Sequence, residues 1–304
     1  MKKILMIVLL CAPSVLFGVS SAPFLRFNYN AASQGSGGAG CARFGDISGI
    51  SINPASTNGA MNASAAFSYG DIGEFDISAT QTNVLVPVTD YGNFGASFIY
   101  SKQGIDDPAD PGSKIDRNDR LALLNYSFMT DDSIGFGANL KYAWSDVAGT
   151  TASFLAADIG ALYLFDKDLS FGLAARDIGA LVSSGGNGYG LKEEGLDSSV
   201  MAGVNYYMLY DNENKLSLSM DLGFAIPFER AVISEGMEYG YNSLFIIRAG
   251  DYESVSGENY LSVGLGMDHD IAGINFKFDY TYSPRISGSS NFSDDQFITI
   301  TSIF

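Results

Sequence analysis

Seven ionisable residues stand out by type and spacing: Lys141, Asp158, Arg176, Asp221, Arg248, Lys277 and Asp279. Each falls on the polar parity of a stretch whose other parity is apolar. Four bases and three acids gathered in one interior would pair across it and fill it. The four bases are also the groups that would hold a ligand carboxylate. No catalytic set accompanies them. His269 is the only histidine and lies in an acidic turn, far in sequence from Cys41. One His and two Cys exclude a Cys/His zinc cluster. Asp106, Asp107, Asp110 and Asp116 lack EF-hand spacing and read as a solvated loop. The run Gly185-Gly186-Asn187-Gly188-Tyr189-Gly190 sits in a long loop with no following helix, so it is not a nucleotide fingerprint. The expectation is a protein that is not an enzyme and carries no cofactor and no metal.

The elements that must position these charges alternate with period two. Ile134, Phe136, Ala138, Leu140, Tyr142 and Trp144 interleave with Gly135, Gly137, Asn139, Lys141 and Ala143. Leu216–Phe224, Leu261–Met267 and Ile274–Tyr282 repeat the pattern. Successive side chains of a strand point to opposite faces, so each segment has one oily face and one polar or small face. A soluble sandwich also alternates, but three features point to a membrane barrel. The strands are about 9–12 residues long, which suits a tilted crossing. Aromatics (Tyr100, Tyr142, Trp144, Tyr163, Phe165, Tyr206, Tyr280, Tyr282) cluster near strand ends, as an interfacial girdle would. Connections alternate between short Asp/Asn-rich turns and longer loops.

The pattern predicts strands near 61–69, 77–88, 92–101, 119–130, 133–145, 152–165, 169–177, 199–210, 215–226, 230–240, 243–251, 258–268, 273–283 and 295–304. Bacterial barrels need an even number, and this is an all-β, transmembrane, antiparallel up-and-down β-barrel of about 14 strands. With both termini on the periplasmic side, the long connections 102–118, 178–198, 252–257 and 284–294 face outward. The aromatic-rich face then meets lipid and the seven charges meet the lumen. A basic residue on the lipid face would cost about 2–4 kcal/mol at mid-membrane. The chain ends on Ile298, Ile300 and Phe304, an alternating strand closed by an aromatic. This resembles the C-terminal signal read by the barrel-assembly machinery.

Lys2 and Lys3, the apolar run Ile4–Leu10 and small residues Gly18–Ala22 form a secretory leader, assigned to 1–21. The run is too short to span and is broken by Pro13, so it is not an anchor. Leu10 before Cys11 is not the small residue that a lipobox needs. Cleavage removes both lysines and moves the formal charge from −17 to −19. An acidic chain with a pI of about 4.2 lacks the basic footprint of a nucleic-acid binder. Cys41 is left alone as a structural thiol.

Residues 31–60 do not alternate. They read AASQGSGGAGCARFGDISGISINPASTNGA, a glycine-rich run leading to Asp46 and then to Asn53-Pro54-Ala55. This resembles the N-terminal signature of PorV/PorQ-like outer-membrane proteins within the long-chain fatty-acid transporter (FadL/TodX) group. Phe136–Tyr142, Ala156–Tyr163, Phe171–Gly179 and Ile247–Asp251 are similar to further PorV-like pieces. The resemblance implies a plug or hatch over 22–60, with Asp46, Asn53, Pro54 and Ala55 as its motif, inside a barrel over 61–304. Phe24, Leu25, Phe27, Tyr29 and Phe44 are too apolar for a free tail.

Three functions follow as expectations. One is passive uptake of hydrophobic small molecules such as long-chain fatty acids, captured by the loops around 102–118 and 178–198. Gly137, Gly172 and Gly223 would supply kinks or close approach. The other is a PorV-like scaffold or shuttle in protein export and surface attachment; a surface adhesin is a third. The expected setting is a monomer in outer-membrane lipid, with the assembly machinery, a hydrophobic ligand or export-system proteins as partners and no nucleic acid.

Overall fold

The computed structural model describes residues 28–304 apart from 74–75, 108–109, 111, 186–195, 197, 212, 226–230, 243, 255–258 and 285–293. The leader, residues 22–27 and Gly186–Gly190 therefore lie outside the described residues. Among those described, fourteen strands close into one antiparallel barrel in sequence order, β14 pairing with β1. They are β1 (Ser64–Ile72), β2 (Ile77–Val88), β3 (Gly92–Asp106), β4 (Lys114–Met129), β5 (Ile134–Val147), β6 (Thr150–Leu164), β7 (Leu169–Ser184), β8 (Ser199–Tyr210), β9 (Asn214–Ala225), β10 (Ala231–Tyr241), β11 (Phe245–Ser254), β12 (Asn259–Ile271), β13 (Ile274–Pro284) and β14 (Asp294–Ile303). Closure leaves no ladder edge to be desolvated in hydrocarbon.

Alternation sets the faces as expected. Phe136, Leu140 and Tyr142 on β5, and Leu218, Met220 and Leu222 on β9, are exposed on the outer wall. Asn139, Lys141, Ser219 and Asp221 between them are buried inside. Outer-wall aromatics form two groups. Phe94, Tyr126, Phe128 and Phe136 chain together at centroid spacings of 5.0, 5.8 and 6.0 Å near the short-turn end. Tyr142 and Phe98 meet Trp144 at 5.5 and 6.3 Å nearer the long-loop end. This is the aromatic girdle of a bilayer-crossing wall.

Short turns are built by one repeated device. Asp131, Asp166 and Asp211 each accept two backbone N–H bonds from residues two and three positions on. An aspartate folding back on its own backbone in this way mimics a turn. Those N–H donors hold the Asp211 carboxyl below the usual carboxylate range.

Three expectations are corrected. The connection placed at 102–118 is mostly ladder: β3 and β4 pair out to Asp106↔Lys114. Lys102 reaches Asp116 at 2.8 Å on the outward face, so this extension stands beyond the apolar belt and has no oily outward face to betray it. The connection placed at 178–198 is shortened too, because β7 runs on to Ser184. Finally, β7 carries bulges against β6, one of them at Arg176-Asp177. An extra residue lets two neighbours share a face. Strict parity would put Asp177 in lipid; the bulge, with Asp177 at φ 57°, brings it inside beside Arg176, and Asp177 is 2% exposed. Above Arg176↔Ser199, no described residue of β8 pairs with β7.

Residues 28–60 lie within the barrel. They form a short helix, α1 (Ala31–Gly35), and two 3₁₀ turns, Ile47–Ser51 and Pro54–Thr57. β14 ends the chain: Ile298 and Ile300 face outward, and the exposed Phe304 donates its N–H to the Ala63 carbonyl at 2.8 Å.

Candidate functional site

The lumenal segment is held by its own caps and by the wall. Asp46 caps the first 3₁₀ turn, accepting from Ser48 N–H at 2.8 Å. Asn53 caps the second, accepting from Ala55 N–H at 3.0 Å, with Pro54 at the first position, where a missing N–H costs nothing. The Asn53 amide donates to the carbonyls of Cys41 (2.6 Å) and Ala161 (3.2 Å). The Pro54 carbonyl accepts from the Asn125 amide at 3.1 Å, and Ala55 is fully buried. Gly137 and Gly172 leave room for backbone: a Cβ would collide with the Pro54 carbonyl at the first and the Cys41 carbonyl at the second. Gly223 has no such role, since the nearest atom to its Cβ position is 3.6 Å away.

The seven charges are all lumenal, and they sort into four groups. Lys141 is buried between Asp158 (2.8 Å) and Asp177 (2.7 Å), and Asp158 also accepts from Asn139 at 2.8 Å. Arg176 stands 3.8 Å from Asp177. Arg248 bridges Glu238 (2.7 Å) and Asp279 (2.6 Å), with Arg43 of the segment 3.8 Å from Glu238. Lys277 is more open and reaches Asp268 at 3.4 Å. Asp221 accepts the backbone N–H groups of Gly40 (2.7 Å) and Cys41 (2.9 Å) through one oxygen, Oδ2. Burial pushes the Cys41 thiol up, so it is inert rather than nucleophilic.

Sequence reading missed Asp177, Glu238 and Arg43. The bulge hid the first. Glu238 does sit on the inward parity with Ser234 and Gly236, a signal that was available. Arg43 precedes the strands and has no parity to read.

The segment divides the lumen into two cavities. The one toward the long-loop end is about 180 Å³. Ile72, Met201, Val232, Tyr252 and Phe297 supply its apolar wall, while Ile52, Gln34 and Gly38 of the segment contribute to its floor. Tyr252 and Tyr260 stack there, centroids 4.6 Å apart. Arg176, Asp177 and Asp221 add its polar points. The one toward the short-turn end is about 450 Å³ and polar, lined by Arg43, Asp46, Glu238, Arg248, Lys277 and Asp279 among others. Among the described residues, no group of three or more acidic, His or Cys side chains is placed to hold a metal. The arrangement places an apolar, aromatic-lined cavity on one side of the segment and a polar one on the other.

The fold and this divided lumen define a transmembrane β-barrel with its N-terminal segment inside. No protein-family model matches the sequence, and no curated protein matches it. Solved structures do match. The CymD monoaromatic hydrocarbon channel superimposes with a TM-score of 0.65 at 12% identity, over 91% of this chain and 97% of that one. The Ralstonia pickettii toluene transporter TbuX gives 0.64 at 12% identity, over 91% and 98%. A Pseudomonas aeruginosa FadL homologue gives 0.59 at 13% identity, over 95% and 99%. At such identity the likeness is one of fold: this chain has the barrel architecture of FadL/TodX-type proteins.

Proposed function

We propose that this protein is an outer-membrane channel for passive uptake of small hydrophobic molecules of about single-ring size. The observation that carries the reading is the cavity of about 180 Å³ with its apolar and aromatic wall. A dry apolar cavity of about 150 Å³ accepts benzene, so this volume suits one ring and is small for a whole long-chain fatty acid. Folds shared with a hydrocarbon channel and a toluene transporter support the same size class. In this reading the long-loop end faces outward and the segment is the hatch. The ligand enters over Tyr252 and Tyr260, and Arg43–Glu238 and the Asp221 contacts yield as the segment shifts. Transport follows the concentration gradient.

Titrating toluene and oleate into the barrel in lipid nanodiscs tests this. Saturable toluene binding, weakened at least tenfold by Met201→Trp, is expected, with no comparable oleate site. Absence of saturable binding by any single-ring probe would overturn it. It would favour the second reading, a PorV-like export scaffold, which the packed ion pairs around Lys141 and Arg248 support.

A further inference from the structure

The long-loop margin of the outer wall is acidic over much of its circumference. Asp71 on β1, Glu253 on β11 and Asp294 on β14 point outward there and are exposed. The margin over β3–β5 differs. Lys102 and Lys114 stand on its outward face, paired with Asp116 and Asp76. Arg120 lies between the buried Asp119 and Leu121, so it also faces outward, nearer the apolar belt. Among the described residues, no carboxylate lies within ion-pair distance of it. Asp119 points inward and is taken by Arg117 at 3.0 Å. Asp146, on β5, accepts from the Thr151 hydroxyl of β6 at 3.0 Å.

Rings hold Arg120 instead. It is opposite Tyr100 on β3 and Trp144 on β5, with its Cζ 5.5 Å from the Tyr100 ring centroid. The Tyr100 hydroxyl donates to Asn118 at 2.8 Å, which fixes that ring. Next along β4, Ala122 lies between Phe98 and Tyr142, small enough for Phe98 and Trp144 to meet at 6.3 Å across the strand. Leu124 and Leu140 are exposed beneath. A half-buried guanidinium thus sits at the upper edge of an aromatic platform. Stacking on a ring leaves the N–H fork of an arginine free for a second partner.

We infer that this platform binds a phosphate-bearing lipid of the outer leaflet. Arg120 takes the phosphate, in the two-pronged geometry that guanidinium and phosphate share. The acyl chains lie over Phe98, Tyr142, Leu124 and Leu140. Outward carboxylates repel a phosphate elsewhere on the margin, so the lipid is fixed on one side of the barrel, at the foot of the β3–β4 extension. This site is separate from the cavity. It shares with the uptake reading only the outward orientation of the long-loop end.

Trp144 is the only tryptophan in the chain and stands opposite Arg120, so its emission reports on this site. The test titrates the barrel in detergent micelles with diphosphoryl lipid A, phosphatidylcholine or inorganic phosphate. Wild type is expected to show a saturable emission change with lipid A, at concentrations where the other two give none. Arg120→Gln is expected to bind lipid A about fivefold more weakly, the scale of one base at an anionic membrane surface. Equal responses to lipid A and phosphatidylcholine, or to lipid A and inorganic phosphate, would overturn the inference. So would a folded Arg120→Gln that binds lipid A as wild type does. If that variant does not fold, the comparison of the three probes on wild type decides alone. Toluene titration of the same samples reads the uptake proposal separately.

Discussion

Lys141→Met is expected to destabilise the folded barrel by about 3–5 kcal/mol, the cost of breaking a buried pair from one side. Lys141 is 2% exposed and is the cation held between Asp158 and Asp177 at 2.8 and 2.7 Å. Its removal leaves two carboxylates facing each other in a desolvated lumen, with Arg176 only at 3.8 Å from one of them. Denaturant titration in detergent, read by heat-modifiable migration, measures the loss. The triple variant Lys141→Met, Asp158→Asn, Asp177→Asn is expected to recover part of it, because no unpaired charge stays buried, asparagine at 158 keeps an oxygen for the Asp177 N–H, and asparagine at 177 tolerates φ 57°. A single variant as stable as wild type would show that the group is hydrated and not a structural tie.

The second large effect concerns closure. Gly172→Ala places a Cβ against the carbonyl of Cys41 and within 2.8 Å of the Ala42 nitrogen. Both are backbone, so no side chain can rotate away. Ser170 donates to the Ala42 carbonyl at 2.7 Å and Asp221 holds Gly40 and Cys41, so the strain falls on the tie that keeps the segment seated. The expected result is a barrel that still folds but conducts ions in planar bilayers well above wild type. Gly223→Ala is the control: its Cβ position meets only Met201 Cγ at 3.6 Å and atoms farther off, and its conductance should stay at the wild-type level. Equal conductance of the two variants would mean the segment does not close the lumen.

Much of the barrel was legible in the sequence because lipid imposes period two. The ranges read for β2 and β8, 77–88 and 199–210, agree with the strands found. Legibility failed where lipid stops imposing the pattern. The outward face of the outer β3–β4 hairpin is polar, and only Ile105 and Ile115 on its inner face are apolar, so it looked like a loop. The β7 bulge breaks parity, so Asp177 was invisible. The inward placement of Lys141, Arg248 and Asp279 could be read from one strand at a time. Their partners could not, because Lys141 meets Asp177 and Arg248 meets Asp279 only after distant strands settle into register. The lumenal segment obeys caps and glycine contacts rather than a period. Asp46 and Asn53 were marked by the motif, but their work as caps and ties emerges only with the wall around them. The cavities have no sequence signature, being spaces left between the segment and the wall.

The central claim is that this barrel admits small ring molecules through the cavity under the long loops. The most direct measurement is the initial rate of labelled phenol and toluene entry into host cells bearing an outer membrane. Cells expressing wild type are compared with cells expressing Met201→Trp at equal amounts of heat-modifiable barrel. The account predicts entry that rises with the amount of wild-type protein and falls toward the empty-cell rate in the variant. Entry at the empty-cell rate with abundant, folded wild-type protein would contradict it.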